Sequence, residues 1–333
     1  MLSCPQMALK DLQKNDTVTS FAQIIGIQVR LKRNGEAYAR LILGDQSGRM
    51  EARLWDGVER FREEVEEGDF VKYRGVVQSY NGVNQLIISE IRKTVQGDGL
   101  DGFDAAKLIP STENDVEQMW ARLNSLVKEN VVRSCLLDLL TSVLNAHEEK
   151  IKTYPAGVEV HHNYRGGLLE HILSVLESAL YFAGKYPNVD TDLLAAGAVL
   201  HDIGKLEELS DAVRPAYTSR GQLIGHVVLG CELVGREASR IPDFPEDLLV
   251  RIQHIILSHQ GQPEWGSPQV PKMLEALILH YVDDLDAKLN RFYRLQKEDV
   301  SDSDFTPFDR HLGRAVLKIK PGREDDVPLV ASG

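Results

Sequence analysis

The sequence has few cysteines and lacks a long apolar run. Its three cysteines, Cys4, Cys135 and Cys231, have the spacing of neither a disulfide framework nor a zinc site. No apolar segment approaches the roughly 20 residues that a membrane-spanning helix needs. Residues 1–14 lack the basic start and apolar middle of a signal peptide. These absences argue against a disulfide-stapled domain and an integral membrane protein, and we expect a cytoplasmic protein with reduced thiols.

The chain also lacks a basic excess, since its formal net charge is −12. The negative charge is unevenly distributed along the chain. Residues 1–100 hold 14 Lys and Arg against 14 Asp and Glu, so the whole acidic excess lies in the later residues. An acidic body suits a cation-binding enzyme, because bound divalent ions invert the local field. The charge therefore predicts no long basic groove, but it leaves nucleic-acid binding open.

Alternating, β-branched segments dominate the first hundred residues. They predict strands over residues 17–31, 37–43, 49–55, 69–77 and 84–92. A short charged helix over residues 58–65 separates the third strand from the fourth. Five strands with a helix at that point have the order of an OB-fold. We therefore predict a five-stranded OB-fold β-barrel over residues 1–95.

The outward side chains of these strands are both aromatic and basic. Successive side chains of a strand point to opposite faces, so the residues that alternate with the apolar set face outward. They are Tyr38, Arg40, Arg53, Trp55, Lys72 and Arg74. Rings for base stacking and cations for phosphate suit single-stranded nucleic acid. The alternative is that a small barrel exposes some aromatics anyway, or buries them against a second domain.

The rest of the chain has a helical period. Residues 96–112 are rich in Gly and Asp and predict a linker, residues 113–319 predict an all-α helical bundle, and residues 320–333 predict a flexible tail.

Three apolar helices of this bundle each carry polar residues. His171 lies on a helix that runs to about Lys185, His201 and Asp202 end the apolar run 193–200, and Asp283 lies in a helix over 274–285. An unpaired polar group in such surroundings is costly, so we predict that these four residues hold a metal ion. Gly204 is placed to end the second helix, which lets the adjacent His and Asp grip one ion.

The segments that carry these residues resemble a known superfamily. They read His161-His162-Asn163-Tyr164-Arg165-Gly166-Gly167-Leu168-Leu169-Glu170-His171 and His201-Asp202-Ile203-Gly204-Lys205. Both are similar to the HD-domain metal-dependent phosphohydrolases, an all-helical superfamily. With Gly266-Ser267-Pro268, Asp283-Asp284-Leu285-Asp286-Ala287 and the preceding barrel, residues 15–315 more closely resemble the YhaM-type 3′-to-5′ exoribonucleases.

The resemblance implies a centre of two metal ions, in which Asp202 bridges and His226 and His259 hold the second ion. The alternative for His226 is a contact with a substrate phosphate. Mixed His and carboxylate ligands suit a divalent transition metal. The resemblance implies manganese, with iron, cobalt, zinc and nickel left open. Gln260 is a departure, because related sequences often carry a second histidine there.

Several residues near the ligands have predicted roles in catalysis or in binding. Asp202 and Lys205 are the predicted catalytic residues, and Lys205 is expected to hold a phosphoryl oxygen or the leaving group. The alternative is that Lys205 is a surface lysine that only faces the dipole at a helix end. Contacts with the RNA backbone are expected of Arg165, His161, His162 and Ser267. His280 is expected to orient a ligand, and His254 to pack or cap a helix.

The expected function is the hydrolysis of single-stranded RNA from its 3′ end, with single-stranded DNA and a homo-oligomer left open and no membrane partner. One alternative is a phosphohydrolase of nucleotides or cyclic nucleotides, which needs no strand-binding barrel. A second is an RNA-binding regulatory module with a structural HD domain, which would be expected to lose at least one ligand. An HD-type oxygenase with mixed-valent iron is less favoured.

Overall fold

The computed structural model describes residues 7–32, 35–80, 83–109, 111–157, 162–210, 216–299 and 303–318. His161, one of the predicted RNA contacts, lies outside these residues, and so does the predicted tail. Among the residues described, no helix combines the length and the apolar character that crossing a membrane would require.

The N-terminal part is a closed five-stranded barrel with the strand order β1-β2-β3-β5-β4. The elements are β1 (Thr17–Leu31), β2 (Ala37–Asp45), β3 (Gly48–Leu54), α1 (Val58–Glu64), β4 (Phe70–Tyr80) and β5 (Val83–Lys93). β1 is long enough to pair with two neighbours: its first half pairs with β4 and its second half with β2. A register shift between Ile24 and Gly26 lets it bend between them. The parallel pairing of β3 with β5 closes the barrel.

The predicted alternation of the strands is confirmed. Leu41 and Ala52 face each other across β2 and β3, and so do Ala39 and Leu54. All four are buried in the barrel core. The residues between them point away from that core, so the predicted OB-fold and its inward and outward faces are those of the structure.

The segment predicted as a linker is packed against the barrel. It forms two short 3-10 helices, Gln96–Asp101 and Ala105–Lys107. Leu108 and Ile109 are buried with Phe21 of β1 and Phe70 of β4, and Phe103 packs beside them. Arg92 donates to both carboxylate oxygens of Asp98 at 2.7 and 2.6 Å. An apolar cluster and a bidentate ion pair therefore hold this segment on the barrel surface.

The remaining helices form a bundle. They are α2 (Val116–Asn130), α3 (Ser134–Thr153), α4 (Gly167–Ala183), α5 (Thr191–Leu200), α6 (Lys205–Glu208), α7 (Ser219–Ile224), α8 (His226–Ala238), α9 (Glu246–Ser258) and α10 (Leu274–Glu298).

The helix α5 lies at the centre of this bundle. Its residues from 193 to 200 are buried, and it packs against α3, α4, α9 and α10. Asp190 caps its start by accepting from the backbone N–H of Leu193. The end of α5 therefore delivers the following residues, His201 and Asp202, into the interior of the bundle.

Candidate metal centre and barrel surface

The six predicted metal ligands converge at one place in the bundle. His171 comes from α4, His201 and Asp202 follow α5, Asp283 comes from α10, His226 begins α8 and His259 follows α9. His171, His201, Asp202 and His259 are at most 3% exposed. Five helices thus contribute to one polar cluster inside an apolar core.

One oxygen of Asp202 belongs to a first group of ligands. Its Oδ2 lies 3.4 Å from Nε2 of His171 and 3.6 Å from Nε2 of His201. Oδ1 of Asp283 lies 3.2 and 3.8 Å from the same two nitrogens. These four residues, predicted from the sequence as one metal site, form one compact cage.

The other oxygen of Asp202 faces a second group. Its Oδ1 lies 3.6 Å from Nε2 of His226 and 3.9 Å from Nε2 of His259. His171, His201 and Asp202 form one potential ligand cluster, and Asp202, His226 and His259 form another. Asp202 is common to both, so its carboxylate stands between two sets of ligand atoms.

The far nitrogen of each ligand imidazole is held by an acceptor. Nδ1 of His201 bonds the carbonyl of Ala198 at 2.9 Å, and Nδ1 of His259 bonds that of Ile256 at 2.7 Å. The acceptors for His171 and His226 are carboxylates, described below. Because a carbonyl or carboxylate can only accept, each Nδ1 carries the hydrogen. These bonds turn the Nε2 atoms toward Asp202, as metal-binding histidines require.

Burial and mutual attraction shift the pKa values of this cluster. Burial alone would raise the pKa of Asp202 and Asp283. Lys205 and the imidazoles instead hold the pKa of Asp202 well below its usual range, and the imidazoles of His171 and His201 do the same for Asp283. Burial lowers the pKa of His259 to about 4. The opposite holds for His171, where hydrogen bonds to Asp202 and other carboxylates outweigh burial and raise the pKa.

The cluster fits a divalent cation. Nε2 of His171 and Nε2 of His201 lie only 3.1 Å apart, although both are ring nitrogens with their other nitrogen already engaged. They face ionised carboxylates, so positive charge is needed between them. Neutral imidazoles and carboxylate oxygens are the donors that transition metals prefer. A metal ion would displace the proton that His171 otherwise carries.

A cleft of about 500 Å³ opens over these ligands. Its lining includes Asp202, His226, His259, Trp265 and Tyr217. Lys205 also lines it, and the Lys205 Nζ lies 2.5 Å from Oδ2 of Asp202. The predicted catalytic lysine is therefore within the cleft and paired with the predicted bridging carboxylate.

Sequence reasoning missed two carboxylates that orient ligands. Oδ2 of Asp286 lies 2.7 Å from Nδ1 of His171, and Oε1 of Glu208 lies 3.1 Å from Nδ1 of His226. Glu208 also accepts from the backbone N–H of His226 at 3.0 Å. Asp286 lies three residues after Asp283 and so on the same helix face, which was the available signal. Glu208 is a buried glutamate just after the His-Asp turn.

His162 does not face solvent as a strand contact would. Only 3% of it is exposed, and its Nε2 lies 3.0 Å from Oδ2 of Asp286. Tyr164 Oη lies 2.9 Å from its Nδ1. The expected contact of His162 with RNA is therefore corrected: this ring supports the carboxylate that orients His171.

Other predicted roles also change. Ser267 is 3% exposed and its hydroxyl donates to the carbonyls of Leu257 and Gln269, so it shapes the loop and does not face a strand. Nδ1 of His280 bonds the carbonyl of His259 at 2.8 Å, which places it behind a ligand as expected. Nε2 of His254 accepts from the backbone N–H of Lys272, a loop contact.

Gly204 is needed for a different reason from the one predicted. Its φ is −64°, an ordinary right-handed value, so it does not end α5 by a left-handed conformation. A Cβ at this position would lie 1.9 Å from the carbonyl oxygen of His226 and 2.5 Å from the backbone nitrogen of Gly230. The glycine allows α8 to approach the His-Asp turn closely enough to present His226.

Four of the six predicted strand-binding residues form one cluster on the outer face of β2 and β3. Tyr38 and Trp55 stack with ring centroids 4.8 Å apart, and the Arg53 guanidinium lies 5.8 Å from the Trp55 ring centre. Glu51 lies between the cations, 2.6 Å from Arg40 and 3.2 Å from Arg53. This cluster, called here the β2–β3 patch, is aromatic and basic but carries an acid that sequence reasoning left out.

The other two predicted residues lie elsewhere. Lys72 and Arg74 are on β4, which neighbours β1 and β5 and not the strands of the β2–β3 patch. Lys72 is paired with Asp101 at 2.6 Å and Asp98 at 3.7 Å in the packed segment, and Arg74 lies 3.8 Å from Glu90. The six residues therefore do not form a single face. Arg165, two residues before α4, pairs through its backbone with Ser111.

Comparisons with known proteins match each part separately. Residues 22–94 match the model of the OB-fold nucleic acid binding domain, and residues 168–288 match the model of the HD domain.

Solved structures similar to part of the chain include three from replication proteins. The second OB-fold domain of replication protein A from Methanococcus maripaludis is 20% identical over 27% of this chain and 96% of its own, with a TM-score of 0.23. The replication factor A related protein from Methanobacterium thermoautotrophicum is 14% identical over 28% of this chain and 94% of its own, with a TM-score of 0.24. A replication protein A heterotrimer bound to single-stranded DNA is 15% identical over 28% of this chain and 70% of its own, with a TM-score of 0.22. The family models and the strand order together show that this chain joins an OB-fold barrel to an HD domain.

Proposed function

We propose that this protein is a metal-dependent 3′-to-5′ exoribonuclease of the YhaM type, which binds single-stranded RNA on its barrel and hydrolyses phosphodiester bonds in its HD domain. The observation that carries the proposal is the position of Asp202, whose two oxygens face two separate sets of imidazoles at the floor of a cleft. HD domains bind divalent metals, and this cluster offers each of two ions its own ligands.

The residues of the cleft have separate roles in the proposed reaction. His171, His201 and Asp283 would hold one ion and His226 and His259 the other, with Asp202 common to both. Bound divalent ions supply positive charge to a phosphate group and make water more acidic. Lys205 places an ammonium at the cleft wall, where it neutralises a phosphoryl oxygen. Asp286 and Glu208 keep the imidazoles turned toward the centre.

The β2–β3 patch supports RNA as the substrate. Tyr38 and Trp55 offer a stacked aromatic surface, and Arg40 and Arg53 offer cations beside it. Stacking on rings together with phosphate contacts is how strand-binding proteins hold single strands. A hydrolase of free nucleotides needs no such patch, whereas an exonuclease gains from holding the strand whose end it removes.

The test uses full-length protein loaded with Mn²⁺ and two RNA oligomers, one labelled at the 3′ end and one at the 5′ end. A 3′-to-5′ exonuclease releases the 3′ label at once as a mononucleotide, while the 5′ label appears in a ladder of shortening fragments. Asp202→Asn should abolish both patterns. Asp138→Asn, which removes an exposed carboxylate from α3, is the matched control and should behave as wild type.

Three other outcomes would contradict the proposal. Early release of the 5′ label would reverse the direction. Hydrolysis of free or cyclic nucleotides with intact RNA would identify a small-molecule phosphohydrolase. Tight RNA binding without hydrolysis of any substrate by the metal-loaded protein would identify a regulatory RNA-binding module.

A further inference from the structure

An exposed tryptophan stands in the wall of the catalytic cleft. Trp265 lines the cleft together with Asp202 and His259, yet 53% of its surface is exposed. Single exposed apolar side chains are common on protein surfaces, but an aromatic ring that lines a concave cleft is the usual lining of a ligand site. Because this ring lies in a concave site beside a phosphate-binding centre, a bound ligand is the natural cover for it.

The loop that carries Trp265 is ordered by its own hydrogen bonds. Trp265 ends a 3-10 turn, Pro263–Trp265, and its backbone N–H donates to the carbonyl of Gln262 at 3.0 Å. The backbone N–H of Ser267 donates to the same carbonyl at 3.1 Å. Gly266 continues the turn at a φ of +94°, a conformation that favours glycine. These bonds order the backbone of the loop that carries the ring.

The same loop is tied to the ligands of the second group. It begins directly after His259, and Gln260 Nε2 lies 3.3 Å from Nε2 of His226. Gly261 has a φ of +82°, and a Cβ there would lie 2.1 Å from the ring of His280, so the loop lies directly against α10. The loop that places Trp265 in the cleft is thus packed against both α10 and His226.

The surroundings of the ring suit a planar ligand next to a phosphate. The ammonium of Lys288 lies 5.9 Å from the Trp265 ring centre, and the His280 ring lies 6.0 Å away. Tyr217, 49% exposed, lines the same cleft. The cleft volume of about 500 Å³ falls within the usual range for small-ligand sites.

We propose that Trp265 forms a nucleobase subsite, on which the base of the terminal nucleotide stacks while its phosphodiester lies over Asp202. This inference rests on the proposed function, because it assigns a nucleotide to the cleft. Stacking uses the face that every base has, so the subsite accepts all four bases. Trp265 is a binding residue here, and the hydrolytic groups remain those around Asp202.

The direct test is isothermal titration of the Mn²⁺-loaded protein with a 5′-nucleoside monophosphate and with ribose 5-phosphate, which has no base. The wild type should bind the nucleotide at least tenfold more tightly. Trp265→Ala should bring the two affinities to within about twofold, and Trp265→Phe should keep part of the preference. Tyr181→Ala is the matched control, because Tyr181 is 63% exposed but does not line the cleft.

RNA provides the second measurement. Oligomers that end in a normal or an abasic 3′ nucleotide should differ about tenfold in kcat/KM with the wild type, and the difference should vanish in Trp265→Ala.

The two proposals fail in different ways. Equal binding of nucleotide and ribose 5-phosphate by the wild type, or a preference unchanged in Trp265→Ala, would overturn the nucleobase subsite even if RNA is degraded. A base preference that depends on Trp265 in a protein that leaves RNA intact would overturn the exonuclease and leave the subsite standing. Trp265→Phe shows whether a loss in the alanine variant reflects the missing ring or a disturbed loop.

Discussion

Asp286 Oδ2 lies 2.7 Å from His171 Nδ1, so a carboxylate on α10 orients an imidazole on α4. The same oxygen lies 3.0 Å from Nε2 of His162, and Ser174 donates to the other oxygen at 2.5 Å. Asp286 therefore joins three segments of the bundle behind the metal cluster. Asp286 does not line the cleft, so the role we propose for it is the orientation of His171.

Asp286→Asn tests this orientation. An amide can donate where the carboxylate only accepts, so the hydrogen bond from His171 is weakened and its Nε2 is no longer held toward the centre. Loss of such a partner usually costs about 10- to 100-fold in metal affinity. We expect that loss in a Mn²⁺ titration, with unchanged helical content by circular dichroism. Asp138→Asn, which removes an exposed carboxylate from α3, should stay near wild type; equal losses in both variants would indicate a general charge effect.

The shared position of Asp202 predicts unequal effects on metal content. Asp202→Ala should remove both ions, whereas the double variant His226→Ala/His259→Ala should remove only the ion of the second group. Elemental analysis of proteins purified in excess Mn²⁺ and desalted gives the ratio of metal to protein. If Asp202→Ala retains as much metal as the double variant, Asp202 does not serve both groups.

Gly204→Ala should disrupt the second group of ligands. The added methyl would meet the His226 carbonyl at 1.9 Å, and backbone cannot yield as a flexible side chain does. Overpacking of this kind typically costs about 1–3 kcal/mol, so the free energy of unfolding should fall and His226 should move from Asp202. Gly235→Ala on α8, where the nearest atom is the Gln253 side-chain nitrogen at 3.6 Å, is the control. A wild-type metal content and stability in Gly204→Ala would show that α8 does not depend on this contact.

The strand boundaries could be predicted because the signal is local. The sequence itself shows the alternation of apolar Met50, Ala52 and Leu54 with polar residues such as Arg53. This alternation can be recognised without knowing the rest of the fold. His171 and His201 were predicted as metal ligands for a related reason, since an imidazole in an apolar helical segment can be recognised without knowing what it faces, whereas His226 and His259 were predicted from the family resemblance.

What the sequence could not supply are contacts between distant segments. Glu51 falls between Arg40 and Arg53 only because β2 and β3 pair in one register. The close approach of α8 to Gly204 likewise depends on the packing of separate helices. α10 was predicted to end at 285 but continues to Glu298, because its later turns pack less of their surface and lose the apolar period.

The β2–β3 patch gives separable predictions for stacking and for charge. Trp55→Ala should weaken RNA binding about tenfold at every salt concentration, since stacking is worth roughly 1–3 kcal/mol per base. Arg53→Ala should flatten the dependence of log K on log salt by about 0.7. Glu51→Gln should strengthen RNA binding, because it releases Arg40 and Arg53 from their ion pairs with Glu51.

Fluorescence anisotropy with a labelled single strand measures all three variants. Arg60→Ala, which removes an exposed cation from α1, is the control for net charge. Unchanged binding in Trp55→Ala, with the barrel folded, would remove the patch from the binding surface.

The ion pair of Asp98 predicts a defined pH dependence. The hydrogen bonds from Arg92 lower the pKa of Asp98 to about 2, below its ordinary value of 3.8. A depressed pKa stabilises the fold above the ordinary value, and this stabilisation is lost as the pH falls toward 2. Asp98→Asn should therefore lower the free energy of unfolding by about 1 kcal/mol at neutral pH, a figure reduced for the exposure of Arg92.

Denaturant titrations at pH 7, 5 and 3 measure this difference between wild type and variant. It should be equal at pH 7 and 5 and smaller at pH 3. Glu90→Gln, which removes an exposed partner of Arg74, should change stability by less than about 0.5 kcal/mol. A difference that grows as the pH falls would contradict the assignment.

The packed segment after β5 determines how the barrel and the helical bundle are joined. Ile109 is buried with Phe21 and Phe70 of the barrel, while Ser111 already pairs with Arg165 of the bundle. Only one residue of the sequence lies between Ile109 and Ser111, so the connection between the barrel and the bundle is very short. When two binding sites are joined by a flexible linker, the gain in affinity from using both sites depends on the length of that linker. In this protein the linker is fixed, so the gain depends on the length of the RNA. An RNA too short to reach from the barrel to the cleft should bind no more tightly because of the barrel, whereas a longer RNA should bind with the affinity of both sites together.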